Sequence, residues 1–164
     1  MPIYYFTGKN KFLSNYYDQH DNPIVLDNGL TYKSAEAAFQ GGKVYFPTNK
    51  SMKDPKSPQH RLEKRFSDFD NPAAAKSLGR HIELRPDWNA VKDDHMEKVI
   101  RAKFSDPELQ AMLLSTGDEE LIEGNSWHDN YWGNCTCPKC REIEGGNHLG
   151  KILMKVRAEL QAQK

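Results

Sequence analysis

Most of what the chain lacks narrows its chemistry. Net charge is absent: Lys plus Arg and Asp plus Glu number 23 each in 164 residues. A uniformly basic coat for nucleic acid is therefore not expected, although a local basic patch remains open. Long apolar runs are absent too; none approaches the length that spans a bilayer, so no membrane partner is expected. Met1-Pro2-Ile3-Tyr4-Tyr5-Phe6 has no charged region followed by a long apolar stretch, which argues against a secretory signal. Cysteine is scarce, with three residues all lying between Cys135 and Cys140. That is no disulfide framework, and a reducing cytoplasm is the expected compartment. Walker and GxGxxG loops are missing, so nucleotide-binding domains of those types are not indicated. Internal repeats and low-complexity tracts are missing as well.

What is present reads as one domain over residues 1–164, long enough to bury a core. The pattern is that of an α+β fold, mostly helical, with a small antiparallel or mixed sheet built largely from the amino-terminal part. Ile3-Tyr4-Tyr5-Phe6 has the β-branched and aromatic composition of a short strand. Ile24-Val25-Leu26 and Leu30-Thr31-Tyr32 flank Asp27-Asn28-Gly29, and Asn-Gly signals a tight hairpin. The polar stretch from Pro47 to His60 reads as a solvated loop leading into a helix; its surplus of lysines makes phosphate contact the minority alternative. Asn71-Pro72 and Asp106-Pro107 pair a capping residue with proline in the first turn, and each opens a helix. Asp87 is expected to cap a longer one carrying Met96, Val99, Ile100 and Phe104. His81-Ile82-Glu83-Leu84 and Leu121-Ile122-Glu123 read as short strands. The last helix begins near Asn147 and buries Leu149, Ile152, Leu153, Val156 and Leu160 at helical spacing.

One short helix gathers unlike polar groups. Ser34 is a good cap, and Glu36 falls in the first turn, where the helix dipole favours negative charge. Glu36, Gln40 and Lys43 repeat at i, i+4 and i+7, stacking an acid, an amide and an amine along one side. Taken alone, such a stripe is most often the wet face of an amphipathic helix. Gly41-Gly42 leaves the far end open to close approach by a ligand or another backbone.

A second landmark is Asn125-Ser126-Trp127-His128-Asp129-Asn130-Tyr131-Trp132-Gly133, where three large aromatics surround Asp129 without apolar periodicity. Aromatic faces stack on nucleobases, and a carboxylate among them could hold a water or a sugar hydroxyl. The alternative is that Trp127 and Trp132 only fix the loop. Trp88 could wall the same pocket or staple a helix start. Arg80 could hold a phosphate bidentately, though a surface arginine is commoner. Gly145-Gly146-Asn147 precedes the final helix, whose first amides could form an anion site. Cys137 and Cys140 have CxxC spacing, and Cys135 with His128 or His148 could complete a tetrahedral zinc site. Without a second CxxC pair, reduced cysteines on a loop are preferred, with no cofactor and no metal in the chemistry.

Taken in order, these pieces resemble the NADAR superfamily of YbiA-like proteins. The matching residues are Phe12-Leu13-Ser14-Asn15, Ser34-x-Glu36-x-x-Phe39-Gln40 with Lys43, and Ala75-Lys76-x-Leu78-Gly79-Arg80. Arg85-x-Asp87-Trp88, Met96, Lys103-Phe104 and Leu113-Leu114-x-Thr116-Gly117 continue the series. Asp129-x-x-Trp132-Gly133 and Gly146-Asn147-x-Leu149-Gly150-x-x-Leu153-Met154-x-x-Arg157 complete it. The departures are the Pro47–His60 segment and the cysteine loop. The resemblance implies cleavage of a ribose–base N-glycosidic bond, with two associated substrate branches. One is removal of ADP-ribose from guanine bases in nucleic acid, with a cognate ADP-ribosyltransferase toxin as genetic partner. The other is hydrolysis of phosphoribosylamino-pyrimidine intermediates of riboflavin synthesis. A ribose–base bond breaks through an oxocarbenium-like state. Glu36, Lys43 and Asp129 are the catalytic candidates for it. Phe12, Ser14, Asn15, Gln40, Arg80, Trp88, Trp127, Trp132, Gly133 and Asn147 are the substrate-binding candidates. A non-catalytic binder of ADP-ribose or modified nucleic acid is the alternative from another class, and it would not need Glu36 and Lys43 on one face. A small adaptor stabilised by zinc is a third.

Overall fold

Asn28-Gly29 turns the chain as its dipeptide predicts. Gly29 has φ of 79°, a left-handed conformation that glycine adopts without steric cost. In the computed structural model, which describes residues 1–163, the turn joins β1 (Ile24–Val25) to β2 (Thr31–Tyr32) as an antiparallel pair. The pairing sets Ile24 opposite Tyr32, and both side chains are buried. The hairpin delivers Ser34 to the start of α1 (Ala35–Gly41), where its Oγ accepts from the Ala37 amide at 3.1 Å.

The chain forms two compact units. The central unit is Asn15–Lys103. Besides the hairpin and α1 it holds α2 (Asn49–Lys53), α3 (Pro58–Asp68), α4 (Pro72–Gly79) and α5 (Trp88–Lys103). All seven residues of α1 are buried, because α3, α4 and α5 pack around it. Three of the seven are alanines, whose small side chains let three helices approach one short one. Ile24, Tyr32, Ala35, Ala38, Phe66 and Val99 belong to the resulting core.

The terminal unit comprises Met1–Ser14 with Phe104–Lys164. A 3₁₀ turn over Gly8–Leu13 packs on α6 (Pro107–Leu114), and α6 packs on α7 (His148–Ala162). Asp106 caps α6 by accepting from the Leu109 amide, as its Asp-Pro pair predicts. β3 (Gly124–Asn125) and β4 (Asn134–Cys135) pair in parallel.

The α+β, mostly helical reading holds, but strand content is smaller and differently placed than expected. Ile3–Phe6 contributes a single bridge, Ile3 to Leu121, since Tyr4 and Tyr5 stay exposed and leave no second face to bury. His81–Leu84 likewise contributes one bridge, Leu84 to Val44. The expected loop 47–60 contains α2, closed by a reciprocal Thr48–Ser51 capping box. Leu160 is half-buried, while Arg157 on the same helix is buried and donates to Thr116 Oγ1 at 2.8 Å.

Candidate active site

The stripe on α1 is not a wet face. Glu36 is 7% exposed and Gln40 3%. Gln40 Nε2 donates to Glu36 Oε1 at 2.8 Å, one helical turn away. The Glu36 amide donates to the Asn15 carbonyl at 2.9 Å, tying the first turn of α1 to the segment before the hairpin. The acid and the amide therefore form a hydrogen-bonded pair inside the protein, where a polar group needs such partners. Two acceptors beside this pair, Gln40 Oε1 and Asn15 Oδ1, are buried with no hydrogen-bond donor among the described residues. Such orphaned acceptors are rare in native structures and suit a ligand hydroxyl or a water.

Lys43 follows α1 and keeps the i+7 position of the stripe. Its Nζ lies 5.9 Å from the Phe39 ring centre and 6.0 Å from that of Trp88, the distance at which a cation meets an aromatic face. Phe39 and Trp88 themselves pack at 5.2 Å. Burial lowers the Lys43 pKa, Glu36 partly opposes that shift, and Arg80, Lys76 and Lys92 reinforce it. One amine is thus flanked by a buried carboxylate and three further cations. Arg80 is exposed just past the end of α4.

Two neighbours of this group escaped the sequence reading. His95 donates from Nε2 to the Ala38 carbonyl at 3.0 Å, and its burial lowers its pKa. It packs edge-on to Trp88 at 5.9 Å and fills the space that a Cβ on Gly42 would occupy. The available signal was its place four residues before Val99 on the buried stripe of α5. Gly79, expected only to stop α4, allows a close approach instead: a Cβ there would lie 1.9 Å from Gln40 Oε1. A cavity of about 630 Å³ in the same unit is lined by Tyr32, Gly42, His60, Arg85, His95 and Arg101. Glu36, Lys43 and Trp88 are not among its lining residues, whereas Gly42, Val44 and His95 beside them are.

The candidates in the terminal unit follow a different logic. Asp129 Oδ1 accepts from the amides of Tyr131 at 3.1 Å and Trp132 at 2.9 Å, so the carboxylate folds its own loop. Tyr131 stacks on His148 at 4.1 Å, and Trp132 meets both rings edge-on. Trp127 is 61% exposed, and Phe12 is a core side chain at 4%. Ser14 ends the 3₁₀ turn, its amide donating to the Lys11 carbonyl. A Cβ on Gly133 would lie 2.1 Å from the Glu123 carbonyl, so glycine is required there for the chain to pass.

The start of α7 corrects an expectation. The amides of Asn147, His148 and Leu149 donate to the carbonyls of Gly133, Tyr131 and Trp132. The Asn147 side chain accepts from the Glu123 amide at 3.0 Å and donates to the Leu121 carbonyl at 2.8 Å. Donors needed for an anion are engaged by the loop, and Asn147 is a clasp between segments rather than a phosphate ligand. In the same loop His128, not His148, joins the three thiols; one donor atom from each of the four lies within 4.8 Å of the others. Together these four residues could hold a metal.

Comparison with known proteins gives the frame for these groups. A family model described as the NADAR domain matches residues 4–161. The chain is similar to N-glycosidase YbiA of Escherichia coli (strain K12), with 34% identity over 145 residues, 87% of this chain and 78% of that protein. It is also similar to the chloroplastic riboflavin biosynthesis protein PYRR of Zea mays, 31% identical over 153 residues that cover 88% of this chain and 22% of that protein. The solution NMR structure of the E. coli protein YbiA superposes with a TM-score of 0.73 at 30% identity, covering 99% of this chain and 85% of that one.

Proposed function

The chain belongs to the NADAR family and is an enzyme of the N-glycosidase class; on that premise we propose that it removes ADP-ribose from guanine bases in nucleic acid. The observation that carries the reading is the buried Glu36 carboxylate within electrostatic reach of a half-buried Lys43 amine that lies over Phe39 and Trp88. A purely binding module has no use for an acid and a pKa-lowered amine on one buried face.

Breaking the C1′–N bond leaves positive charge on the sugar and sends the bond's electron pair to the base. Glu36 stabilises that charge and takes a proton from the water that attacks C1′. The departing base nitrogen needs a proton, and in this reading Lys43 gives it. The other route open to Lys43 is attack on C1′ by its neutral amine, giving an imine with the opened sugar that water then hydrolyses. Arg80, Lys76 and Lys92 surround the amine with positive charge, which suits a phosphate-bearing substrate. A cognate ADP-ribosyltransferase toxin is the source of such a substrate.

The similarity to a riboflavin biosynthesis protein favours a second reading, a phosphoribosylamino-pyrimidine substrate. Incubation of the protein with an ADP-ribosylated guanine oligonucleotide and, separately, with that pyrimidine decides between the two. Release of ADP-ribose from the oligonucleotide is expected. Cleavage of the pyrimidine alone would transfer the function to the second reading, and cleavage of neither would remove both. Borohydride in the presence of substrate traps the chain if the imine route runs, and Lys43→Ala abolishes the adduct.

A further inference from the structure

We propose that His128, Cys135, Cys137 and Cys140 form a structural zinc site that closes the loop carrying Asp129, Tyr131 and Trp132. The three sulfurs converge on one atom: His128 Nδ1 lies 3.3 Å from Cys137 Sγ, 3.3 Å from Cys140 Sγ and 3.9 Å from Cys135 Sγ. Around a tetrahedral zinc with ordinary Zn–S and Zn–N bonds, sulfur and nitrogen ligands stand about 3.6 Å apart. The observed separations bracket that value. All four donor atoms lie within 4.8 Å of one another, at most about 1 Å wider than sulfurs on one tetrahedral zinc.

The surrounding backbone is arranged as a thiolate site needs. The His128 amide donates to Cys135 Sγ at 3.3 Å, and such a bond steadies a sulfur that carries negative charge. A turn with the Cys140 amide on the Cys137 carbonyl, at 3.0 Å, folds the CxxC pair so that both sulfurs face inward. Cys135 and Cys140 are buried, an unfavourable place for thiolates without a cation. His128 has φ of 69°, a strained conformation for a non-glycine residue, yet it points its Nδ1 at the three sulfurs. Four protein ligands complete the tetrahedron and leave no position for substrate, so the ion is structural. A disulfide between any two of the cysteines would leave the third sulfur and the imidazole without a reason to converge. His128 and Cys135 are the ends of the segment bearing Asp129 and the aromatic pair, and the ion ties those ends together.

Metal analysis of the chain purified in reducing buffer tests the site. About one zinc per chain is expected, tight enough to survive gel filtration. Cobalt(II) added to the stripped protein should give the intense visible bands and the sulfur-to-metal absorption of a tetrahedral thiolate site. Chelation should lower the melting temperature. Cys137→Ser combined with Cys140→Ser should lose the zinc, and His128→Cys should retain it. If the stripped wild-type chain, still folded by circular dichroism, takes up neither zinc nor cobalt, the proposal is wrong. Iron in place of zinc would overturn the assignment of the ion. The glycosidase reading stands or falls separately, since none of the four ligands belongs to the acid–amine pair.

Discussion

The α1 face of the central unit and the loop over 125–146 of the terminal unit are both rich in polar and aromatic residues, and they use them in opposite ways. On α1 the helix ladder, the Ser34 cap and the Asn15 carbonyl satisfy the backbone, so the side chains of the stripe need not hold the chain in place, and Gln40 keeps an acceptor without a donor among the described residues. In the loop there is no regular ladder beyond two paired residues, so side chains do the folding. Asp129 Oδ1 bonds two amides, Asn125 Oδ1 two more, and Asn147 joins two separate segments. A polar residue on a regular element is left for chemistry; one in an irregular loop is consumed by the fold unless a group is left over.

The sharpest test of the contrast is Glu36→Gln. The new amide oxygen can still accept from Gln40, so the fold should persist while the charge is lost. The rate should fall by about 10²- to 10⁴-fold, the usual contribution of a general base. A folded Glu36→Gln chain at full activity would reduce α1 to scaffolding. Asp129→Asn bounds the other side: its amide oxygen can still accept from Tyr131 and Trp132, so the loss in rate should be at least tenfold smaller than for Glu36→Gln.

Asn147→Ala comes next. It removes an acceptor from the Glu123 amide and a donor from the Leu121 carbonyl, and it places alanine at φ of 48°. Chemical denaturation should report a loss of about 2–3 kcal/mol, typical of leaving buried backbone groups unpaired. Substrate affinity in the folded fraction should be unchanged. A normal melting curve with weakened substrate binding would return the anion site to α7.

The same contrast explains what was legible in the sequence. The helices with an Asx-Pro start were readable because capping is a local interaction, and Pro72 and Pro107 open α4 and α6 as expected. The acid, amide and amine of α1 were readable as a stripe, but their burial was not. Three later helices cover that stripe, and nothing between residues 32 and 43 encodes them. The loop was hardest to read. Whether Asp129 meets a sugar or two backbone amides depends on the path of six residues, and a composition rich in tryptophan fits either. His128 and the thiols show the same limit: a single CxxC does not say which imidazole completes it, and two were within reach.

Lys103 extends the comparison to a charge that no surface explains. It ends α5 fully buried, with its Nζ 5.5 Å from the centre of the Tyr17 ring, and burial pushes its pKa down to about 7. An unfolded lysine keeps its proton to roughly pH 10.4. Between those values the unfolded chain binds more protons than the folded one, so stability should rise with pH across that window and level off below it. For one lysine the slope is at most about 1.4 kcal/mol per pH unit. Lys103→Met should flatten that part of the stability–pH curve, as followed by urea midpoints from pH 7 to pH 10. An unchanged curve would mean that the amine is solvated and α5 ends in water.

The smallest effect separates scaffold from chemistry on α1 itself. Ser34 caps the helix and is buried, and removing its Oγ leaves the Ala37 amide without its partner. Ser34→Ala should cost about 1 kcal/mol of stability. Glu36 lies in that first turn, yet its own amide is anchored on the Asn15 carbonyl, outside the helix. The carboxylate should therefore keep its place when the cap is lost, and the rate should drop by no more than a few-fold while the melting temperature shifts clearly. If the rate instead falls as far as in Glu36→Gln, the cap, and not the clamp from Asn15, positions the carboxylate. The helix would then be under the same rule as the loop, with its polar contacts serving geometry first.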